Sequence, residues 1–235
     1  MFNISITGAN GYIGSQLRNK INNKKFKINS FVRDSNRFNK DIFLFDLKNR
    51  DSTKKLVINS DIVYYLAGNT SLYFAKYNFN ESYKLTVQPI KDLISICKEY
   101  KKKIKIVYAS TATVYGNQSN FPIDETTIPK PITIYDKHKL LAEKLLIEAM
   151  MDEILSCYIV RFSNIYGPSI NETSSNERGV LNKICWRAIK NDPITIYGSG
   201  KYLRDYVYID DAINALLKIG LENKNKNKDN IYNIC

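Results

Sequence analysis

Apolar and polar residues follow two rhythms along this chain, and the rhythms take turns. Short β-prone apolar runs occur at FNISIT (2–7), KINSFV (27–32), DIFLF (41–45), DIVYYLAG (61–68), IKIVYAS (104–110) and EILSCYIVRF (153–162). Rich in Val, Ile, Phe and Tyr and bounded by polar stretches, they predict strands. Between them the apolar spacing lengthens to helical steps: Ile13, Leu17, Ile21; then Leu85, Leu93, Ile94, Cys97; then Leu141, Leu145, Ala149. This predicts an amphipathic helix after the first strand, a long one over 81–100 and another over 131–149. Two more helical runs follow, VLNKICWRAIK (180–190) and AINALLKIGL (212–221). Trp186 is expected in the core, and Asp210 or Asp211 as the cap of the second run. ITIYGSG (194–200) and YLRDYVYIDDA (202–212) lie between these helices, and polar loops are expected at 171–177 and 223–230. The closing IYNIC is β-prone and stops with no element after it, which suggests truncation. Strands alternating with helices place the chain in the α/β class, with a parallel sheet.

The turn after the first strand carries Gly8, Gly11 and Gly14, a GxxGxxG spacing. In that strand–turn–helix setting, the first glycine permits a tight turn. The second lets backbone approach a pyrophosphate, and the third lets helix pack on strand. The motif predicts dinucleotide binding. After the second strand, where an adenosine ribose would lie, come Val32, Arg33 and Asp34. A basic residue there suits NADP and an acidic one NAD, so both cofactors stay open. Asp46 and Leu47, after the third strand, could meet the adenine. Leu66, Ala67 and Gly68 end the fourth run, where small residues let a cofactor lie close to backbone.

Ser110, Thr111 and Thr113 cluster where the strand at 104–110 would end, the side on which open α/β sheets bind ligands. For Thr113, satisfying loop backbone is the expected role. Farther on, Tyr135 and Lys139 stand four apart on a predicted helix, hence on one face. A phenol alone titrates near ~10. A fixed neighbouring cation favours the phenolate, so the pair could take a proton from a hydroxyl or return one to a carbonyl.

The chain has 235 residues, 44% hydrophobic and 12% aromatic, enough for one large domain or a domain and a half. No secretion signal is visible, and charges and asparagines break every apolar run before it could span a bilayer. Cys97, Cys157, Cys185 and Cys235 show no CxxC or metal spacing, and Cys97 and Cys157 sit inside apolar segments, which points to reduced core residues in a cytoplasmic protein. The net charge of +12 is spread along the chain, with no focused basic patch for nucleic acid. A diffuse positive field favours a phosphorylated small molecule instead.

Taken together, GANGYIG (8–14), YLAG (65–68), STATVYG (110–116), YDKHK (135–139), RFSNIYGP (161–168) and RDYVYIDD (204–211) resemble the extended short-chain dehydrogenase/reductase family, specifically its nucleotide-sugar epimerases and dehydratases. The resemblance covers nearly the whole chain and its motifs keep the family's order. It implies a Rossmann-type doubly wound sheet over residues 1–162 and a smaller, apparently truncated substrate-binding region over 163–235, interleaved with the last Rossmann elements. It implies cofactor contacts from the glycine turn, with Asn10, Tyr12 and Ile13 beside its glycines, and from Phe162. Tyr135 matches the catalytic base and acid. Lys139 matches the lysine that holds the nicotinamide ribose and lowers the tyrosine pKa, and Thr111 the residue that hydrogen-bonds the reacting oxygen. Asn164 and Arg204 match contacts to the substrate diphosphate.

The implied activity is an NAD(P)-dependent epimerase of a nucleoside-diphosphate sugar, cytoplasmic and homodimeric. The rivals are an NADPH-dependent keto-sugar reductase, which Arg33 favours, and a non-catalytic scaffold. One departure narrows the choice. Family dehydratases carry Asp-Glu directly after the Ser/Thr, whereas Ala112 and Thr113 stand there in this chain, which disfavours 4,6-dehydration.

Overall fold

The structure, a computed structural model, describes residues 2–21, 24–34, 41–170, 179–196, 203–221 and 230–235. Each predicted apolar run supplies one strand: β1 (Phe2–Thr7), β2 (Phe26–Val32), β3 (Ile42–Leu44), β4 (Ile62–Tyr65), β5 (Lys105–Thr111) and β6 (Ser156–Phe162). Two short strands, β7 (Asn164–Tyr166) and β8 (Tyr206–Tyr208), pair with each other in a separate sheet. The closing run forms β9 (Ile231–Ile234), which pairs with β6. The main sheet has seven strands in the order β3-β2-β1-β4-β5-β6-β9, with every adjacent pair parallel. The order reverses direction between β1 and β4, and a crevice opens there at the carboxyl ends of the strands.

The helices are α1 (Tyr12–Lys20), α2 (Arg50–Ile58), α3 (Leu72–Tyr77), α4 (Phe79–Thr86), α5 (Gln88–Glu99), α6 (Ile134–Met151), α7 (Val180–Ile189) and α8 (Ile209–Leu221). Strand side chains alternate between the two faces of the sheet, so each face packs its own core. Ile106, Tyr108 and Ile159 face Leu56, Leu93 and Leu146 of α2, α5 and α6. Ile4, Ile6, Val107 and Val160 face Leu17, Ile213 and Leu216 of α1 and α8.

Several expectations change in detail. The helix over 81–100 is two helices: α4 ends at Thr86, and α5 starts at Gln88 with Pro89 in its first turn. A proline tolerates only that position, because its ring would clash inside a continuous helix. Asp210 and Asp211 do not precede α8 but stand in its first turn, where they complement the helix dipole. Trp186 is not a core residue: α7 buries none of its side chains, and Trp186 is 37% exposed. Leu66, Ala67 and Gly68 follow β4 as loop. The polar loops expected at 171–177 and at 223–229, and the end of ITIYGSG from residue 197, lie outside the described residues. All four cysteines are free, Cys97 and Cys157 buried, Cys185 and Cys235 exposed. Among the described residues, no helix is long and apolar enough to cross a membrane.

Candidate functional site

The crevice at the β1/β4 switch holds a cleft of about 670 Å³, within the ~300–1,000 Å³ range of small-molecule and cofactor sites. Its lining brings together Gly8, Asn10 and Gly11 from the first turn, Arg33 from the end of β2, Asp46 and Leu47 after β3, and Leu66, Ala67 and Gly68 after β4. Asp34, Asn69, Thr70, Phe74 and Leu85 complete much of the wall. Thr7 fixes the β4 side, since its hydroxyl accepts the backbone N–H groups of Leu66 and Ala67, each at 3.0 Å.

The glycine turn fits a dinucleotide on its own geometry. Gly8 has φ +68°, a left-handed conformation that favours glycine, and a Cβ there would stand 3.3 Å from the Ala67 backbone. A Cβ on Gly14 would meet the Gly8 carbonyl oxygen at 2.2 Å, so α1 packs against the turn only because that atom is absent. Gly11 caps α1 with no side-chain hydrogen bond, which leaves the first amides of the helix available to an anion. Arg33 and Asp34 are paired at 3.1 Å, both highly exposed. A carboxylate beside that guanidinium offsets the charge a 2′-phosphate would need, so the pair suits NAD better than NADP.

Other expected cofactor residues lie outside the cleft lining. Tyr12 is buried, its hydroxyl donating to the Gly167 carbonyl at 2.9 Å, which ties α1 to the loop after β7. Ile13 packs on the α1/α8 core. Gly14 sits behind the turn, and Phe162 is buried at the end of β6, in register with Thr111.

The three residues expected to react, Thr111, Tyr135 and Lys139, are carried by β5 and α6. Thr111 ends β5 and caps a short 3-10 turn, Ala112–Tyr115. Helix α6 begins at Ile134 behind a capping box in which Thr133 and Asp136 bond each other reciprocally. This places Tyr135 in the first turn and Lys139 one turn on. The Lys139 ammonium donates to the Ala109 carbonyl at 2.8 Å and lies 4.7 Å from the Tyr108 ring centre. It is also 3.8 Å from where a Cβ on Gly68 would stand, which puts it at the edge of the cleft.

Burial pulls the Lys139 pKa down to about 8, against the opposing pull of the Glu143 carboxylate. Burial, helped by Asp136, pushes the Tyr135 phenol up to about 12. The expected depression of the phenol by Lys139 is therefore not found: burial and the Asp136 carboxylate both raise it.

The Thr113 hydroxyl engages side chains where loop backbone was expected. Its hydroxyl donates to Asp136 Oδ1 and lies 2.9 Å from the Thr111 hydroxyl. Asn164 pins the β7/β8 pair, its backbone and side-chain N–H groups both donating to the Asp205 carbonyl, at 3.1 and 2.9 Å. Arg204 is exposed and donates to the Leu203 carbonyl at 3.0 Å.

Sequence reasoning passed over Glu143 and Arg161, which are 1% and 3% exposed and paired at 2.6 Å. Ser110 donates to Glu143, and Arg161 stacks 4.7 Å from the Tyr115 ring centre. The i, i+4 spacing of Lys139 and Glu143 was the available signal.

A doubly wound sheet with a glycine cradle at its switch point defines the class, a Rossmann-type nucleotide-binding protein. Within that class, the chain belongs to the NAD dependent epimerase/dehydratase family, whose profile matches residues 4–235. A UDP-glucuronic acid decarboxylase 1 of Xenopus tropicalis is 27% identical over 92% of this chain, which spans 53% of that relative's length. UDP-glucose 4-epimerase of Thermotoga maritima, solved with UDP-glucose, superposes with TM-score 0.85 at 26% identity, over 99% of this chain and 76% of that one. UDP-glucuronic acid 4-epimerase of Bacillus cereus, solved with UDP-glucuronic acid and NAD, superposes with TM-score 0.84 at 25% identity, over 99% and 77%. The family is NAD-dependent, and the cradle described above fits that cofactor.

Proposed function

We propose that this protein is an NAD-dependent epimerase of a nucleoside-diphosphate sugar, working at C4 through transient oxidation to a 4-keto sugar. The observation that supports the reading is the placement of Lys139: its ammonium lies 3.8 Å from where a Cβ on Gly68 of the cleft wall would stand, one helical turn after Tyr135 at the head of α6, and Thr111 closes the neighbouring β5. Bound in the cradle, NAD would supply a reversible hydride acceptor.

The chain's own residues do the rest. Gly8, Gly11 and the start of α1 hold the pyrophosphate, and Asp34 meets the adenosine ribose. Tyr135 takes the proton of the 4-hydroxyl and later returns it, and Thr111 holds the same oxygen. Lys139 keeps a positive charge near the developing phenolate. The keto sugar turns over in the site, so that it is reduced on its other face.

Tyr135→Phe should abolish turnover of UDP-glucose while cofactor binding persists, measured by mass spectrometry of the retained dinucleotide. Near-normal epimerisation by that variant would defeat the assignment.

A second reading follows from the decarboxylase relatives. If the sugar carries a carboxylate at C5, oxidation at C4 makes it a β-keto acid, which loses carbon dioxide without a further catalytic group. Carbon dioxide released from UDP-glucuronic acid selects this reading, and UDP-galacturonic acid as product selects the epimerase.

A further inference from the structure

Asp136 is 3% exposed, and both of its oxygens are engaged. Oδ2 accepts the backbone N–H and the hydroxyl of Thr133, at 3.1 and 2.7 Å, which completes the α6 cap. Oδ1 accepts the hydroxyl of Thr113, from the far side of the loop between β5 and α6. That second bond contributes nothing to the helix cap.

A carboxylate can only accept, and a threonine hydroxyl has one proton to give. The Thr113 proton is directed to Asp136, so in the 2.9 Å contact between the hydroxyls of Thr113 and Thr111 the donor is Thr111. The Thr111 oxygen also accepts the Thr113 backbone N–H at 3.3 Å. Its position and its proton are thus both set by Thr113, which is itself held by a buried charge.

We propose that Thr113 and Asp136 are positioning residues of this reaction, a relay from the head of α6 that fixes Thr111 Oγ1 and parks its proton; the proposal rests on the role given to Thr111 above. The parked proton is one hydroxyl rotation from the reacting oxygen. As the sugar oxygen loses its own proton, Thr111 can turn from Thr113 towards it with no heavy atom moving. One hydrogen bond replaces another, and the cost of organising the donor is met before the reaction.

Thr113→Val removes the relay and leaves the Thr133–Asp136 cap intact, while Thr113→Ser keeps the hydroxyl. Three-bond couplings to the Thr111 methyl, measured by NMR on cofactor-free protein, report its side-chain rotamer. A single rotamer is expected in the wild type and in Thr113→Ser, and averaging in Thr113→Val.

With UDP-glucose as the probe, kcat of Thr113→Val should fall about tenfold, the scale of one hydrogen bond. KM and retained cofactor should stay unchanged, and Thr113→Ser should restore the rate. An unmoved Thr111 rotamer or an unchanged kcat in Thr113→Val overturns the proposal. Turnover by Tyr135→Phe would instead sink the functional reading beneath it. The rotamer measurement uses neither cofactor nor substrate and decides the orientation by itself.

Discussion

Lys139 is a buried cation whose surroundings are one carbonyl, one ring and, a turn along the helix, the Glu143 carboxylate. Its folded-state pKa is about 8 against an ordinary 10.5, so between those values the unfolded chain binds more protons than the folded one. Unfolding free energy therefore gains a contribution that rises with pH across that window, and is lost as pH falls through it. Lys139→Met should flatten the rise by roughly 1–3 kcal/mol. Urea unfolding of both proteins at about pH 8 and about pH 10 reads the difference, and equal slopes would mean the ammonium is solvated.

Its neighbour makes a sharper case. Glu143→Gln leaves Arg161 buried without its countercharge and should cost about 3–5 kcal/mol, whereas Glu143→Gln combined with Arg161→Met should recover much of that loss. A double variant no more stable than the single one would show that the pair is not what Arg161 needs.

The strand–turn–helix of β1 and α1 is the element proposed to hold the cofactor, and it was legible because glycine spacing and apolar rhythm name the same unit. At Gly14 the geometry is unforgiving, since the atom an alanine would add lies 2.2 Å from backbone oxygen. Gly14→Ala should push α1 off the turn, cost more than about 2 kcal/mol and weaken NAD binding, as denaturant unfolding and NAD titration would reveal. A variant that unfolds and binds as the wild type does would refute the packing described.

Other elements hid for physical reasons. Helix α2 is highly charged, and only Leu56 and Val57 among its apolar residues are buried, so its helical rhythm is faint; its clearest sign was Asn49, which caps Asp51 and Ser52. The α4/α5 break hid because Leu85 and Leu93 keep helical spacing across it, although Pro89 marked it. Trp186 was misplaced because an apolar helical run says which face is sticky, not what covers it. Asp136 was overlooked as part of the site although its spacing from Thr133 spells a cap. A carboxylate serving two structures at once is visible only when the loop before α6 folds back.

For the molecule as a whole, the sheet order and cleft follow from the alternation of strands and helices. The Arg33–Asp34 pair could be weighed only once the two side chains were seen to meet. NAD at about one hundred times its Kd should add about 2.7 kcal/mol to unfolding free energy and raise Tm by roughly 5–10 °C, with NADP doing less at the same concentration. Equal or greater stabilisation by NADP would overturn the reading of that pair.

The architecture also contains its own reporter. His138 is the chain's one histidine, buried in the seam between α4 and α6 with Nδ1 2.9 Å from the Ser82 hydroxyl and its ring 4.8 Å from that of Phe79. Burial lowers its pKa, so the imidazole stays neutral in neutral solution. A nitrogen-15 spectrum of the uniformly labelled protein therefore contains a single imidazole spin system, next in sequence to Lys139, identified without any assignment effort. Whatever reshapes that seam, whether a small molecule or a docking subunit, will shift its two ring-nitrogen lines in an otherwise empty window.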